Sequence, residues 1–246
     1  MAIMRVDFRW LTDKGTRTSD NRDCAGIGEN AHGSIIIVAD GSTAGELDGD
    51  LARALVKEIV NWFVIAKPPV SADVLLGFLR DLHRDLAPHF PRGSVSYLIV
   101  IMSSEGSVIA HAGDCTLGFL GTEGSVNWIT APHTLANAVK KLTLADIAKS
   151  RARHLLTYSF RAREFVAPTI EKIDALASHL VIATDGFWAD LTPDQQMAFM
   201  GTGKRKANDD QDDCSVLLIR TDWVEHTDDG RVALDPLPGL YLRRVD

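Results

Sequence analysis

A short, mostly apolar run that leads into an aspartate and a glycine occurs twice in this chain. Residues 35–39 read Ile-Ile-Ile-Val-Ala, and Asp40 and Gly41 follow at once. A β-branched run of this length, bounded by turn residues, predicts a strand that is buried on both faces. Residues 179–183 form a second such run, which reaches Asp185 and Gly186 through a threonine. We therefore expect carboxylates held rigidly at the ends of core strands.

Further aspartates stand beside two other apolar runs. Asp114 follows the run 108–113, and Asp212 and Asp213 open the run 214–219. If these strand ends meet, their carboxylates form one acidic, oxygen-rich site. Hard divalent cations such as Mg²⁺ and Mn²⁺ prefer oxygen ligands of this kind. The pattern therefore predicts a site for divalent metal.

Composition narrows the class of protein. The chain has 246 residues, 46% hydrophobic and 24% charged, which suits one large globular domain and argues against global disorder. No apolar run approaches the roughly 20 residues that cross a bilayer, and residues 1–7 lack a signal pattern. Three cysteines, an odd count, argue against a disulfide framework, so a reducing cytoplasm is expected. A formal net charge of −7 without a basic stripe argues against nucleic acid as a partner.

The order of the predicted elements indicates an α+β fold. An edge strand is predicted at 5–10, a loop at 13–23, helices at 47–63 and 71–86, hairpins at 95–112 and 116–130, and a strand, helix and strand over 179–219. Two sheets packed face to face with helices outside fit this order. A doubly wound α/β domain also fits the helices between strands, but the hairpins argue against it.

We predict a single domain over residues 1–246. Residues 132–165 are rich in Lys, Arg and His and are long for a plain connection, so they are interpreted as an inserted surface segment. Residues from about 221 are interpreted as a C-terminal extension.

Taken in order, the acidic motifs resemble those of the metal-dependent serine/threonine protein phosphatases of type 2C. The resemblance runs from about residue 15 to about residue 220, and it rests on the ordered set, since a single Asp-Gly is weak evidence. The matching motifs are Asn21-Arg22-Asp23, Asp40-Gly41, Gly113-Asp114, Ala183-Thr184-Asp185-Gly186 and Asp212-Asp213-Cys214-Ser215. The resemblance implies a central β-sandwich of two mostly antiparallel sheets flanked by helices, in four layers α-β-β-α, with a two-metal site at one edge.

The resemblance also implies a role for each matching residue. Asp40 corresponds to the carboxylate that bridges two metal ions, and Gly41 to the residue whose backbone carbonyl binds one of them. Asp185 and Asp212 correspond to the remaining ligands of the other ion. Asp114 corresponds to a carboxylate associated with a third, weaker ion. Asp23 corresponds to a position that orients metal-bound water.

This chain departs from the family pattern at three places. Arg22 stands where the family often has glutamate, which puts a direct ligand of the second metal in doubt. Ser42 replaces a histidine of eukaryotic members, which points to a bacterial-type protein. The family's phosphate-binding arginine falls at Thr18, so Arg17 or Arg22 is expected to supply that charge.

The implied activity is hydrolysis of phosphoserine and phosphothreonine in proteins by a metal-activated water, with two or three Mg²⁺ or Mn²⁺ ions. Implied partners are a phosphorylated protein substrate and a cognate serine/threonine kinase, without nucleic acid or membrane. The alternative is a non-catalytic relative that keeps the fold and binds a phosphorylated partner or regulates a kinase. Arg22 and the displaced arginine favour this alternative, whereas the set Asp40, Asp185 and Asp212 favours an enzyme.

Cysteines and histidines leave further alternatives open. Cys24, Cys115 and Cys214 each follow a motif aspartate. They are interpreted either as small buried strand residues or as a thiol cluster that is open to oxidation. His133 and His154 lie in the inserted segment, where they are either ordinary surface residues or neighbours of the substrate.

Overall fold

Two β-sheets packed face to face form the centre of this protein. The computed structural model describes residues 3–67, 70–173, 179–206, 208–224 and 237–245. In chain order the strands are β1 (Ile3–Asp13), β2 (Asp23–Asn30), β3 (Gly33–Gly41), β4 (Ser94–Ser103), β5 (Gly106–Ala112), β6 (Thr116–Leu120), β7 (Val126–Trp128), β8 (Phe160–Arg161), β9 (Thr169–Ile173), β10 (His179–Ala183), β11 (Cys214–Val224) and β12 (Leu240–Arg244). The helices are α1 (Asp48–Ile65), α2 (Ala72–Leu86), α3 (Leu144–Ala148), α4 (Asp185–Trp188) and α5 (Pro193–Thr202), with a 3₁₀ helix at Arg151–His154.

The strands pair in a mostly antiparallel manner. One sheet has the order β1-β11-β10-β6-β7, and the other has the order β12-β2-β3-β4-β5-β9, with β8 beside β4. Every pairing is antiparallel except that of β12 with β2. The predicted α+β sandwich of two mostly antiparallel sheets is therefore confirmed, and β1 lies at a sheet edge as predicted.

Three layers of apolar side chains stabilise the sandwich, and strand β3 contributes to two of them. Ile36 and Val38 pack against the second sheet, whereas Ile35 and Ile37 pack against α1 and α2. Successive side chains of a strand point to opposite faces, so a continuous apolar run fills both layers. On the far side, β10 and β11 pack against Phe187 and the short helices. This gives the expected order of layers, α-β-β-α.

Most of the predicted elements are present. Helices α1 and α2 match the two predicted helices, and Ser71 caps α2 because its hydroxyl accepts a hydrogen bond from the Val74 N–H at 3.3 Å. Both predicted hairpins form, as β4–β5 and β6–β7. Helix α1 ends at Ile65, whereas Pro68 and Pro69, whose rings would stop a helix, lie outside the described residues.

Strand β2 has no counterpart among the predicted elements. Its sequence contains Gly26 and Gly28, which weaken the strand signal. A Cβ atom at Gly26 would lie 2.5 Å from a methyl carbon of Val56, because α1 packs directly on the backbone of β2. These glycines therefore allow α1 to pack closely on the sheet. Their low β propensity explains why the strand was not predicted from the sequence.

The chain beyond residue 220 takes part in both sheets. Strand β11 continues to Val224, and its last residues pair with the start of β1. Residues 237–245 return as β12, where Arg244 forms an ion pair with Glu29 at 2.6 Å. The described part of this C-terminal stretch thus extends the sheets. No helix in the described ranges is long and apolar enough to cross a membrane.

Candidate metal centre

One small pocket, of about 110 Å³, brings together carboxylates from the ends of four separate strands. It lies at one edge of the sandwich, and both sheets contribute to it. Its lining residues are Asp40, Ser42, Thr43, Ser94, Ser96, Asp114, His154, Leu156, Asp185 and Asp212. The predicted convergence of these aspartates is therefore present in the structure.

The seven-stranded sheet supplies a row of polar side chains to this pocket. In the register of the strands, Asp40 of β3 lies opposite Asp23 of β2 on one side and Ser96 of β4 on the other. The Ser96 hydroxyl donates a hydrogen bond of 2.7 Å to Asp114, which follows β5. Strand pairing thus fixes the relative positions of Asp23, Asp40 and Asp114.

The five-stranded sheet supplies Asp185 at the start of α4 and Asp212 just before β11. A Cβ atom at Gly186 would collide with the backbone carbonyl of Asp213, and one at Gly41 would lie 2.5 Å from the carbonyl oxygen of Asp48. Neither glycine has a positive φ. The Asp-Gly motifs therefore need glycine for close backbone approach, and not for a backbone conformation that favours glycine.

Burial and mutual repulsion raise the carboxyl pKa values of Asp40 and Asp185. Loss of solvent is the largest cause for Asp40, whose pKa lies well above its usual range, and the neighbouring carboxylates Asp23 and Asp185 raise it further. The pKa of Asp185 is raised by the same two causes, with Asp114 as its strongest neighbour. Charges of one sign crowded in this way favour binding of a cation.

Asp23 carries a buried oxygen that has no partner. Its Oδ2 accepts a hydrogen bond of 2.9 Å from the Thr184 hydroxyl, whereas its Oδ1 has no hydrogen bond among the described residues. Burial and then Asp213 raise the pKa of Asp23 to about 8. An unpaired buried acceptor is costly, and a cation or its bound water would satisfy it. This orphan oxygen and the all-oxygen carboxylate set fit a hard divalent cation.

The carboxylates line one pocket without forming a closed cage. Across the described ranges, no three His, Cys, Asp or Glu side chains are close enough together to hold a metal ion. Arginines take up two of the carboxylates instead. Arg17 donates to Asp212 at 2.7 Å, and Arg153 to Asp185 at 3.5 Å.

Arg17 and Arg22, the two arginines considered for phosphate binding, have different surroundings. Arg17 reaches the pocket through its ion pair with Asp212. The buried Arg22 side chain instead donates to the carbonyl oxygens of Ser42 at 2.6 Å and Gly45 at 2.5 Å. Arg22 is therefore a brace for the 42–45 loop, and its guanidinium is not available to a phosphate group.

Arg153 was not predicted from the sequence. It lies within residues 132–165 and is 8% exposed, with its guanidinium between Asp185 and Asp190. The only signal in the sequence for such a residue was the high content of basic residues within 132–165. His154, its neighbour, lines the pocket, whereas His133 stacks on His111 with ring centroids 4.5 Å apart.

The remaining motif residues have structural roles. Asp213 accepts hydrogen bonds from the backbone N–H groups of Gly15 and Arg22, both at 2.7 Å, which ties the 14–22 loop to β11. The three cysteines are buried, and loss of solvent raises the pKa of each thiol. They are small core residues, and the reactive thiol cluster is not supported.

The fold is that of bacterial serine/threonine phosphatases of known structure. The serine/threonine phosphatase Stp1 from Staphylococcus aureus superimposes with a TM-score of 0.71 at 15% identity, covering 90% of this chain and 96% of that one. The serine/threonine phosphatase of S. agalactiae gives 0.70 at 20% identity, covering 88% and 99%. The serine/threonine phosphatase PstP of Mycobacterium tuberculosis gives 0.67 at 17% identity, covering 89% and 98%. No protein-family model and no curated protein matches the sequence.

Proposed function

We propose that this protein is a divalent-metal-dependent phosphatase of the bacterial type that hydrolyses phosphoserine and phosphothreonine in proteins. The observation that carries the proposal is the convergence of four strand-end carboxylates from both sheets on one pocket. The fold shared with serine/threonine phosphatases supports it. We place the enzyme in the cytoplasm, where a serine/threonine kinase would generate its phosphoprotein substrate.

Each pocket residue has a role in this proposal. Asp40, the Gly41 carbonyl, Asp185 and Asp212 would hold two Mg²⁺ or Mn²⁺ ions, and Asp114 would serve a third. When bound, such ions supply an activated water and neutralise the phosphoryl oxygens. The Thr184 hydroxyl holds Oδ2 of Asp23, which leaves Oδ1 free to accept a hydrogen bond from that water and so orient it. No nucleophilic side chain is required.

Two guanidinium groups stand at the pocket to receive the phosphoryl group. Arg17 is paired with Asp212, and Arg153 with Asp185. A guanidinium offers two parallel N–H donors, which match two oxygens of a phosphate. If Asp185 and Asp212 held a cation, Arg17 and Arg153 would be free of these ion pairs and could bind an anionic substrate.

The direct test is release of inorganic phosphate from a phosphoserine peptide and from a small aryl phosphate. We expect turnover with Mn²⁺ and loss of turnover when a chelator is added. Absence of turnover on both substrates across a range of Mn²⁺ and Mg²⁺ concentrations would contradict the proposal.

Arg17→Ala is expected to raise KM for the phosphopeptide, because Arg17 would bind the phosphate in the ground state and the transition state alike. Arg22→Ala serves as the matched comparison. It leaves two partly buried carbonyl oxygens without their charged donor, which costs about 2 kcal/mol and lowers the melting temperature by about 5 °C. Steady-state kinetics and thermal melting on both variants separate the two roles. An unchanged KM for Arg17→Ala, with a raised KM for a folded Arg22→Ala, would reverse the assignment.

The ion pairs of Asp185 and Asp212 favour a second candidate function. Because arginines already neutralise both carboxylates, the pocket as it stands can receive a phosphate group without performing hydrolysis. A non-catalytic domain that binds phosphoproteins would use it in this way. Tight binding of a phosphopeptide without turnover in Mn²⁺ would identify this alternative.

A further inference from the structure

A second, larger depression lies beside the carboxylate pocket. It has a volume of about 780 Å³ and lies between the start of α5, the residues before it and residues 204–206 and 208–211. Its lining includes Arg17, Asp190, Gln195, Lys204, Lys206 and Asp210. Pockets of roughly 300–1,000 Å³ hold ligands of drug size, so this cleft can take a short stretch of peptide.

Two arginines form the partition between the carboxylate pocket and the cleft. Arg17 donates to Asp212 of the pocket at 2.7 Å and to Asp210 of the cleft at 2.9 Å. Arg153 likewise donates to Asp185 of the pocket at 3.5 Å and to Asp190 of the cleft at 2.5 Å. The cleft therefore begins one side chain away from the position proposed for the phosphoryl group.

The cleft is basic although the whole chain carries a formal net charge of −7. Four cationic side chains line it against two carboxylates, and each of these carboxylates is already paired with a partition arginine. Arg205 is also committed, since it is 3% exposed and donates to the backbone oxygens of Asp13 and Asp212. The charges left to face a ligand belong to two exposed lysines at the rim.

Lys204 and Lys206 differ from the fixed arginines. The Lys204 side chain is 76% exposed and has one ion pair, with Asp13 at 3.1 Å. Lys206 is exposed and has no ion pair within the described residues. Such flexible ammonium groups attract an anion with little demand on its geometry.

We propose that the cleft receives the polypeptide that flanks the phosphorylated residue, and that Lys204 and Lys206 select an anionic group in that segment. This inference rests on the proposed phosphopeptide function. The anionic group is a carboxylate side chain or a second phosphoryl group, since both offer oxygen acceptors to an ammonium. An exposed ion pair changes affinity by about twofold to threefold, so two pairs give a preference of up to about tenfold.

The test uses phosphoserine peptides that differ only in the flanking residues. One set carries glutamate, a second lysine and a third another phosphoserine, each placed first before and then after the central phosphoserine. Both kcat/KM and the dissociation constant are measured. We expect the anionic peptides to be preferred on one side by about fivefold to tenfold, with the preference weakening as salt screens the lysines. A larger preference for phosphoserine than for glutamate would assign a second phosphoryl group as the ligand.

The double variant Lys204→Glu and Lys206→Glu is expected to reverse this preference. The matched control, Lys57→Glu and Lys67→Glu, places the same charges on exposed residues in and after α1, in the opposite outer layer. This control should keep the preference of the unaltered protein. The ratio of the kcat/KM values of two peptides does not depend on the fraction of folded protein. It can therefore be interpreted even when a variant is partly unfolded.

The inference is overturned if flanking charge has no effect on either side, or if the double variant keeps the original preference. Its failure is distinct from failure of the proposed function. If the protein hydrolyses an aryl phosphate but hydrolyses all the peptides at equal rates, only the proposed role of the cleft is contradicted. Absence of hydrolysis on every substrate removes the enzymatic proposal, and the ratio of dissociation constants then supports or overturns the cleft assignment by itself.

Discussion

Asp40→Asn is expected to lower turnover by more than the roughly hundredfold that loss of an outer-sphere partner of a metal ligand costs. Asp40 lies in the middle of the carboxylate row, opposite Asp23 and beside the pocket wall formed by Ser96. As the proposed bridging ligand it would contact both cations, so an amide in its place weakens both. Rates of phosphate release at saturating Mn²⁺ measure this effect.

The fold of this variant should survive, because the apolar residues of β3 are untouched. The pKa of Asp40 is raised in the folded state, so its ionised form opposes folding at neutral pH when no cation is present. In chelator, Asp40→Asn should therefore melt at the same temperature as the unaltered protein or higher. Asp81→Asn, on the exposed face of α2, is the matched control and should leave turnover unchanged. Turnover of Asp40→Asn within tenfold of the unaltered protein would contradict the assignment.

Mn²⁺ is expected to raise the melting temperature. A ligand that binds only the folded state stabilises it by RT ln(1 + [L]/Kd), which is about 2.7 kcal/mol at a hundredfold excess over Kd. For a domain of this size such stabilisation corresponds to roughly 5–10 °C. Chelator should reverse the shift, and Asp185→Asn should reduce it because one proposed ligand is lost. Melting scans with Mn²⁺, Mg²⁺ and chelator provide the measurement.

The shift should also depend on pH in a defined direction. The pKa of Asp23 rises to about 8 on folding, so the stability that its proton confers without cations is present near pH 4 and lost as pH rises towards about 8. Cation binding requires deprotonated carboxylates and therefore strengthens over the same range. Mn²⁺ should thus raise the melting temperature more at about pH 8 than at about pH 6. A melting temperature indifferent to Mn²⁺, Mg²⁺ and chelator would contradict a carboxylate metal site.

The strands that carry Asp40 and Asp185 were predictable because their residues fill two apolar layers. Ile35, Ile36 and Ile37 are completely buried, and only a two-sided core strand explains such a run. The aspartates that follow could be placed at strand ends for the same reason. Their convergence on one pocket followed from the motif order together with the resemblance.

Other features depend on tertiary contacts that leave little trace in the sequence. Strand β2 contains glycines because α1 packs onto its backbone. Arg22 lies within a family motif, yet its guanidinium braces a loop. Arg153 reaches Asp185 from 32 residues away along the chain, and nothing in its local sequence distinguishes it from the other basic residues of the inserted segment.

The measurement that tests metal-dependent phosphatase activity most directly is a Mn²⁺ titration in which melting temperature and phosphate release are recorded on the same sample. We predict that both rise as Mn²⁺ is added, and that both responses are reduced in Asp185→Asn. A melting shift without phosphate release would contradict the catalytic function and leave a metal-binding, non-catalytic domain. Phosphate release that persists in chelator, with no melting shift, would contradict the metal centre itself.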